Sequence, residues 1–318
     1  MLIVFSMFVG RKNKHKIWVW LKVKCDICSV NRVYPFFNWA YTSARRHNRK
    51  KKMRQISIYG AGHLTKSLVT GLRQIFPDKS IKVYNRTADK VVELQTYNPK
   101  INRVDNYTDL CRDSSFVFLI IPTSGIFALE TDFVSSLLKS DSVIVSCANS
   151  MTIDKLTEVF PKTKIVRLLP NINWQIKQGT TIFQTNSTVS TTDLTELTDI
   201  LTPITKLIEA KSDYEFDMLG KLTSCGPGLF TKIVEQLLTS FDISDDIQKQ
   251  AVYHTLISTM NYLIDSEKPA DKIISEVANK GGLTESAIIA AEKVIPDCFD
   301  FISKSMNEKL LERRQKLK

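Results

Sequence analysis

The sequence predicts an α/β protein: a doubly wound, mainly parallel sheet in residues 53–211, followed by an all-α half in 212–318. Three observations predict it. Short strand-forming runs alternate with helical stretches from Met53 to about Ser212. The first of those runs leads directly into Gly60-Ala61-Gly62. Beyond Ser212 the strand signal stops, and apolar residues recur at helical spacing. A length of 318 residues fits about two domains, and 43% apolar with 24% charged residues excludes wholesale disorder.

Residues 1–52 stand apart. They carry 13 Lys/Arg and one acid, Asp26, whereas the remaining 266 residues carry 31 basic and 32 acidic groups. The net charge of +11, which alone would suggest nucleic acid or an anionic membrane, therefore belongs to this leader, and no nucleic-acid partner is expected of the body. The leader has three of the four Trp, no sustained period and one motif, Cys25-Asp26-Ile27-Cys28. A single C-x-x-C lacks the second pair a zinc site needs, so no metal is expected. Basic residues interleaved with aromatics could bind nucleic acid or a membrane surface. The favoured expectation is a disordered leader, or one that precedes a start at Met53, because the first orderly strand begins there. No apolar run approaches the roughly 20 residues of a membrane span. Six scattered cysteines fit a reducing, cytoplasmic setting better than a disulfide framework.

From Met53 the elements follow in order. Ile56, Ile58 and Tyr59 form a buried strand; Gly60-Ala61-Gly62 follows; then Leu64, Leu68, Val69, Leu72 and Ile75 share a helical face, and Ile81–Tyr84 forms the next strand. Strand, Gly-x-Gly, helix, strand is the context of the Rossmann dinucleotide fingerprint. Gly60 permits the tight turn and Gly62 the approach of a pyrophosphate. The first helical residues, His63 and Leu64, present N–H groups to it. The third fingerprint position is Thr65, expected to loosen the helix–strand approach. NAD binders carry an acid at the end of the second strand. Here the residues are Asn85, Arg86 and Thr87, with no acid before Asp89. Arg86 can pair with a 2′-phosphate, so NADP(H) is the expected cofactor.

Phe116–Ile121, Ser142–Ser146 and Lys164–Leu169 read as buried parallel strands, with helices expected over Ile126–Leu138 and Thr152–Phe160. Thr180–Phe183 and Thr205–Ile208 extend the sheet around a helix near Thr192–Leu201. Cys111 and Cys147 read as small core residues. In the helical half, four apolar stripes run over Leu229–Phe241, Val252–Ile264, Ile288–Ile295 and Phe299–Leu310. They exceed what such a domain buries against itself, so a homodimer or higher homo-oligomer is expected. Two glycine-rich breaks, Thr223–Gly228 and Asn279–Thr284, each precede a helix. They can hold a carboxylate on backbone N–H groups or serve as ordinary caps.

These pieces in this order resemble the pyrroline-5-carboxylate reductase family, from Met53 to about Ala291. The resemblance rests on Gly60-Ala-Gly62, Asn85-Arg86-Thr87, Val166–Asn171, Ser224-Cys-Gly-Pro227 and Gly281-Gly-Leu-Thr284. It implies reduction of the cyclic imine pyrroline-5-carboxylate to proline with a nicotinamide cofactor. Gly281, Gly282 and Thr284 would cradle the substrate carboxylate and ring nitrogen, with Thr284 as the catalytic hydroxyl; Ser224 would also bind substrate, and Lys280 could add charge for the carboxylate or be a solvated surface lysine. Pro122 counts among the cofactor-binding residues, and Pro170 and Asn171 would lie beside the nicotinamide.

Departures are visible. The family's Val-Lys-Pro is Ile120-Ile121-Pro122 here, its Ser-Gly-Ser-Gly-Pro is Thr223–Pro227, its Ser-Pro-Gly-Gly is Asn279–Gly282, and its Pro-Asn-Thr-Pro-Ala is Pro170–Trp174. Ser-Cys-Gly-Pro and Lys-Gly-Gly-x-Thr look more like the late-competence ComER-like branch. An NADPH-dependent imine reductase is therefore the leading expectation, and a weakly catalytic or non-catalytic nucleotide-binding protein linked to competence is the alternative. A β-hydroxyacid or 6-phosphogluconate-type dehydrogenase shares the layout but needs a lysine with an Asn one turn on; Lys232 has none. His63 and His254 lack an acidic partner at useful spacing.

Overall fold

The computed structural model describes residues 3–12, 15–23 and 54–316. Contacts group residues 1–52 and 53–318 as separate compact units. In the first, where no regular structure is expected, β1 (Ile3–Lys12) and β2 (His15–Val23) form an antiparallel two-stranded sheet, with a register shift between Phe8 and Gly10. The C-x-x-C and the basic run at 45–52 lie outside the described residues.

In the second unit, eight strands form one sheet: β3 (Ile56–Tyr59), β4 (Ile81–Tyr84), β5 (Ile101–Arg103), β6 (Phe116–Leu119), β7 (Val143–Ser146), β8 (Lys164–Leu169), β9 (Gly179–Thr185) and β10 (Thr205–Glu209). Their spatial order is β10-β9-β8-β7-β6-β3-β4-β5. Every pairing is parallel except β8–β9. The central strands β3, β6 and β7 are buried at every position, which is why they read as unbroken apolar runs. Strand order reverses between β3 and β6, and in such sheets the crevice outside their carboxyl ends takes ligands.

Helices cover both faces. On one, α1 (His63–Ile75), α2 (Asp89–Tyr97) and α7 (Thr191–Leu201) pack with Ile56, Ile58, Val83 and Phe118. On the other, α3 (Tyr107–Cys111), α5 (Thr131–Leu138) and α6 (Ile153–Val159) pack with Val117, Leu119 and Ile144. The helix expected over Ile126–Leu138 is two helices. The short α4 (Thr123–Phe127) ends at Ala128, and Glu130 is extended before α5 begins.

The remainder is helical: α8 (Asp213–Thr223), α9 (Gly226–Ser240), α10 (Asp246–Asp265), α11 (Ala270–Val277) and α12 (Leu283–Gln315). The third and fourth apolar stripes lie on the single 33-residue α12, which runs through Pro296. Neither α10, α11 nor α12 has a buried residue. Among the described residues, no helix is long and apolar enough to cross a membrane.

Candidate functional site

The fingerprint turn sits at the strand-order reversal. Gly60 has φ +118°, and a Cβ there would lie 2.2 Å from the Ile120 carbonyl oxygen, so only glycine fits. Its N–H donates to the Tyr84 carbonyl at 2.9 Å, locking the turn to the end of β4. A Cβ on Gly62 would meet nothing within 4 Å, so the backbone faces open space there. Gly62 is also the N-cap of α1, which has no side-chain cap and no acid in its first turn. Its first N–H groups, those of His63 and Leu64 included, are the unsatisfied donors of a helix start. This cradle suits the pyrophosphate of a dinucleotide.

Thr65 does not loosen the helix. It is buried, and its hydroxyl donates to the Gly60 carbonyl at 2.9 Å. The hydroxyl thereby satisfies itself where a glycine would leave room, and it ties α1 to the turn.

At the end of β4, the Asn85 side chain donates to the Thr87 carbonyl at 2.9 Å and shapes the turn around Arg86. Arg86 is exposed and enters no ion pair among the described residues. Behind this turn stands a cluster that sequence reasoning missed. Tyr59, Tyr84, Tyr107 and Phe133 pack with ring centroids 5.0–6.3 Å apart, and the Tyr84 hydroxyl reaches that of Tyr107 at 3.5 Å. Burial, and next the neighbouring Tyr84, raise the Tyr59 pKa; burial and then a hydrogen bond with Glu130 raise that of Tyr107. Both remain neutral phenols, Tyr59 within the field of Arg86. Their signal was an aromatic at each of two strand ends.

Ile121, where the matched motif has lysine, packs against the apolar cluster of Tyr59 and Leu119 and lines the Gly60 turn. Pro122, exposed, is the N-cap of α4. Pro170 and Asn171 are buried at the end of β8. The Asn171 amide donates to the Thr223 carbonyl at 3.0 Å and accepts from the Asn173 N–H at 3.1 Å, so it joins the C-terminus of α8 to a 3-10 turn over Ile172–Ile176. That turn is anchored by Trp174, fully buried, which donates to Thr181 at 2.9 Å. A Cβ on Gly71 would lie 2.4 Å from the Trp174 carbonyl oxygen, so α1 and this turn touch backbone to backbone.

A groove of about 1100 Å³ brings Asn171 together with Thr223, Gly226, Pro227 and Phe230. Ser224, half-buried, lies between α8 and α9. Lys280, Gly281, Gly282 and Thr284 are not brought there. No hydrogen bond or ion pair among the described residues joins them to the dinucleotide half. About 35 Å of helix, at 1.5 Å per residue, separates Thr284 from Asn307, whose side chain accepts from Lys221 near the end of α8.

The glycine loop itself is internally bonded. The Gly281 N–H donates to the Glu285 carboxylate at 2.6 Å, and the Gly282 N–H to the Asn279 carbonyl at 2.9 Å. Two donors expected to hold a substrate carboxylate are therefore engaged. The exposed Thr284 hydroxyl makes no hydrogen bond among the described residues.

Arg167, the buried charge of β8, is 1% exposed and pairs with Asp213 at 2.6 Å and Asp217 at 3.6 Å. Burial pushes its guanidinium down to about 10, against the pull of Asp213 and Asp217. Burial likewise pushes the thiols of Cys111 and Cys147 up, to about 11 and about 12, which keeps them uncharged as core residues.

Comparison with known proteins agrees with this geometry. A family described as "NADP oxidoreductase coenzyme F420-dependent" matches residues 55–150. Pyrroline-5-carboxylate reductase 2 of Bacillus subtilis is 23% identical over 277 residues, 80% of this chain and 95% of that protein. The pyrroline-5-carboxylate reductase of Staphylococcus saprophyticus is 22% identical over 77% of this chain and 93% of its own. Among solved structures, 1-pyrroline-5-carboxylate reductase from Streptococcus pyogenes superposes with a TM-score of 0.72 at 18% identity, covering 82% of this chain and 98% of that one. The Plasmodium falciparum pyrroline carboxylate reductase with NADP bound gives 0.68 at 19% identity, covering 82% and 97%. In sequence the chain is similar to pyrroline-5-carboxylate reductases, and it shares their fold.

Proposed function

We propose that this chain, of the pyrroline-5-carboxylate reductase family, is an NADP(H)-dependent oxidoreductase that reduces a cyclic imine, pyrroline-5-carboxylate or a close relative. The observation that carries the reading is the Gly60–Gly62 cradle: a glycine-only turn against Ile120, an uncapped helix start, and open space at Gly62. A bound nicotinamide dinucleotide supplies hydride for an imine carbon. The protein's part is to bind and orient. The N–H groups at the start of α1 take the pyrophosphate, Arg86 with Asn85 and Thr87 takes the 2′-phosphate, and Pro122, Pro170 and Asn171 border the nicotinamide. Thr284 offers its free hydroxyl to the ring nitrogen, and most of the rate enhancement comes from holding two planar rings together. The scattered thiols keep the cytoplasm as the expected setting.

A second copy completes the site in this reading. Within its own chain, the helical half leaves Leu283 93%, Ile247 81% and Phe301 75% exposed, and α10–α12 have no fully buried residue. Unburied apolar surface of this extent marks an interface. Pairing would also bring the 279–284 loop of one copy to the dinucleotide loops of the other. A monomer by light scattering at micromolar concentration with NADPH present would refute the pairing.

The alternative, a weakly catalytic or non-catalytic nucleotide-binding protein linked to competence, draws on Ile121 in place of lysine and on the Glu285 contact. Monitoring NADPH oxidation with and without pyrroline-5-carboxylate separates the two. Turnover supports the reductase; NADPH binding with no turnover supports the alternative.

A further inference from the structure

Helix α8 lies between β8 and the last stretch of α12, whose far end carries Thr284. On its sheet side three contacts run along β8 in order. Asp213 and Asp217 meet Arg167; Gly220 lies against Leu169, whose Cδ1 would be 2.4 Å from a Cβ there; and the Thr223 carbonyl accepts from Asn171. Arg167 is held further by Gln184 at 2.9 Å, by the Asn149 carbonyl at 3.3 Å and by the Phe216 ring, 3.7 Å from its guanidinium carbon. On the other side of α8 comes the last stretch of α12. Asp217 pairs with Arg314 at 2.7 Å, and Lys221 meets Asn307. Asp217 is thus one carboxylate shared by two arginines, one from the sheet and one from the long helix. The Nε atoms of both arginines are buried without a partner. An arrangement that desolvates three charges and leaves two donors unmet is a poor device for stability alone, and such groups can serve to specify one orientation.

We infer that the Arg167–Asp217–Arg314 relay is a positioning device for hydride transfer, with Asp217 the pin that fixes α12 against β8. The inference rests on the proposed reductase function. Its logic is leverage. About 45 Å of helix separates Arg314 from Thr284 at 1.5 Å per residue. A rotation of about 5° at the pin would carry the far end about 4 Å, and misplacement of about 1 Å can cost 10²-fold in rate. The other end of the relay leads along β8 to Pro170 and Asn171, three and four positions beyond Arg167, so in the proposed pair it sets the loop given to the partner against the nicotinamide border of its own chain.

Two variants test it, Asp217→Asn and Arg314→Gln, the second at a partly exposed last-turn residue. With active sites counted by NADPH titration, both should lower kcat on pyrroline-5-carboxylate at least tenfold. The NADPH Kd should stay within twofold, and the primary deuterium isotope effect from 4-deuterated NADPH should rise. Arg314→Lys should restore part of kcat. A merely structural loss would reduce the count of sites and leave kcat per site and the isotope effect unchanged. That result, or a parallel loss of NADPH affinity, overturns the relay. If the wild type reduces no cyclic imine, the proposed function fails separately, and hydrogen exchange decides the relay. Arg314→Gln must then speed exchange of amides 283–290 while 55–150 stay as in the wild type; unchanged exchange at 283–290 overturns it.

Discussion

Glu285→Gln isolates the contact that most constrains the proposed substrate. In the structure the carboxylate accepts from the Gly281 N–H at 2.6 Å, at the start of α12. A substrate carboxylate seeking that N–H must displace Glu285 or stand beside it. Two like charges about 4 Å apart repel by about 1 kcal/mol in water and about 4 kcal/mol at an effective dielectric of 20. Glu285 is half-buried, so the relief on neutralising it should be about 1–3 kcal/mol, or roughly 5- to 150-fold in KM. Loss of an acid from a helix N-terminus costs about 0.3–1 kcal/mol of stability, too little to unfold the protein. The assay compares KM for pyrroline-5-carboxylate with KM for 1-pyrroline, which lacks the carboxylate, at saturating NADPH. The variant should lower the first and leave the second nearly unchanged. If Glu285→Gln raises KM for the acid, or shifts both substrates equally, Glu285 does not compete for the carboxylate position.

Arg86→Asp should reverse a preference for NADP(H) over NAD(H), since a charge-assisted hydrogen bond is worth about 1.5–3 kcal/mol; equal wild-type affinities by calorimetry would remove Arg86 from that role. Thr284→Val keeps shape and removes the free hydroxyl, and should lower kcat by about 10²–10³. Cys225→Ser, beside the groove, should change kcat far less; the reverse ranking would mean that the site is built otherwise. Thr65→Val strips the donor from the buried Gly60 carbonyl and should destabilise the protein by about 1–3 kcal/mol in urea titrations. Unchanged stability would show that the hydroxyl is incidental.

The parts of the fold legible in the sequence were those with a local signature. Phe116–Leu119 and Val143–Ser146 are buried on both faces and so appear as apolar runs, and the Gly60 turn declares itself because φ +118° admits little else. Ile101–Arg103 escaped notice: this edge strand buries only Ile101, which leaves no period to detect. Helix α8 was missed although Ser212 caps it, accepting from the Glu215 N–H at 3.1 Å; Ser-x-x-Glu was readable there. At the site, Arg167 was visible as a charge within an apolar strand. Its partners lie 46 and 50 positions away, and only the fold unites them. Thr65 was misread because bulk was weighed and the hydroxyl's partner was not. The engagement of Gly281 by Glu285 depends on the first turn of a helix whose start, but not whose side-chain geometry, is written in the sequence.

Helices α10, α11 and α12 together bury no residue within their own chain, and that bears on how the molecule comes into being. Helices in proteins draw most of their stability from tertiary packing. Newly made chains can complete the sheet half alone, since its apolar faces close on themselves. In the proposed pair, the later helices must wait for an encounter to gain comparable stability. Their folding is then governed by collision, so protein concentration enters the melting curve as a variable alongside temperature and denaturant. Dilution should act on this chain as a selective denaturant, loosening the C-terminal helices while the sheet persists.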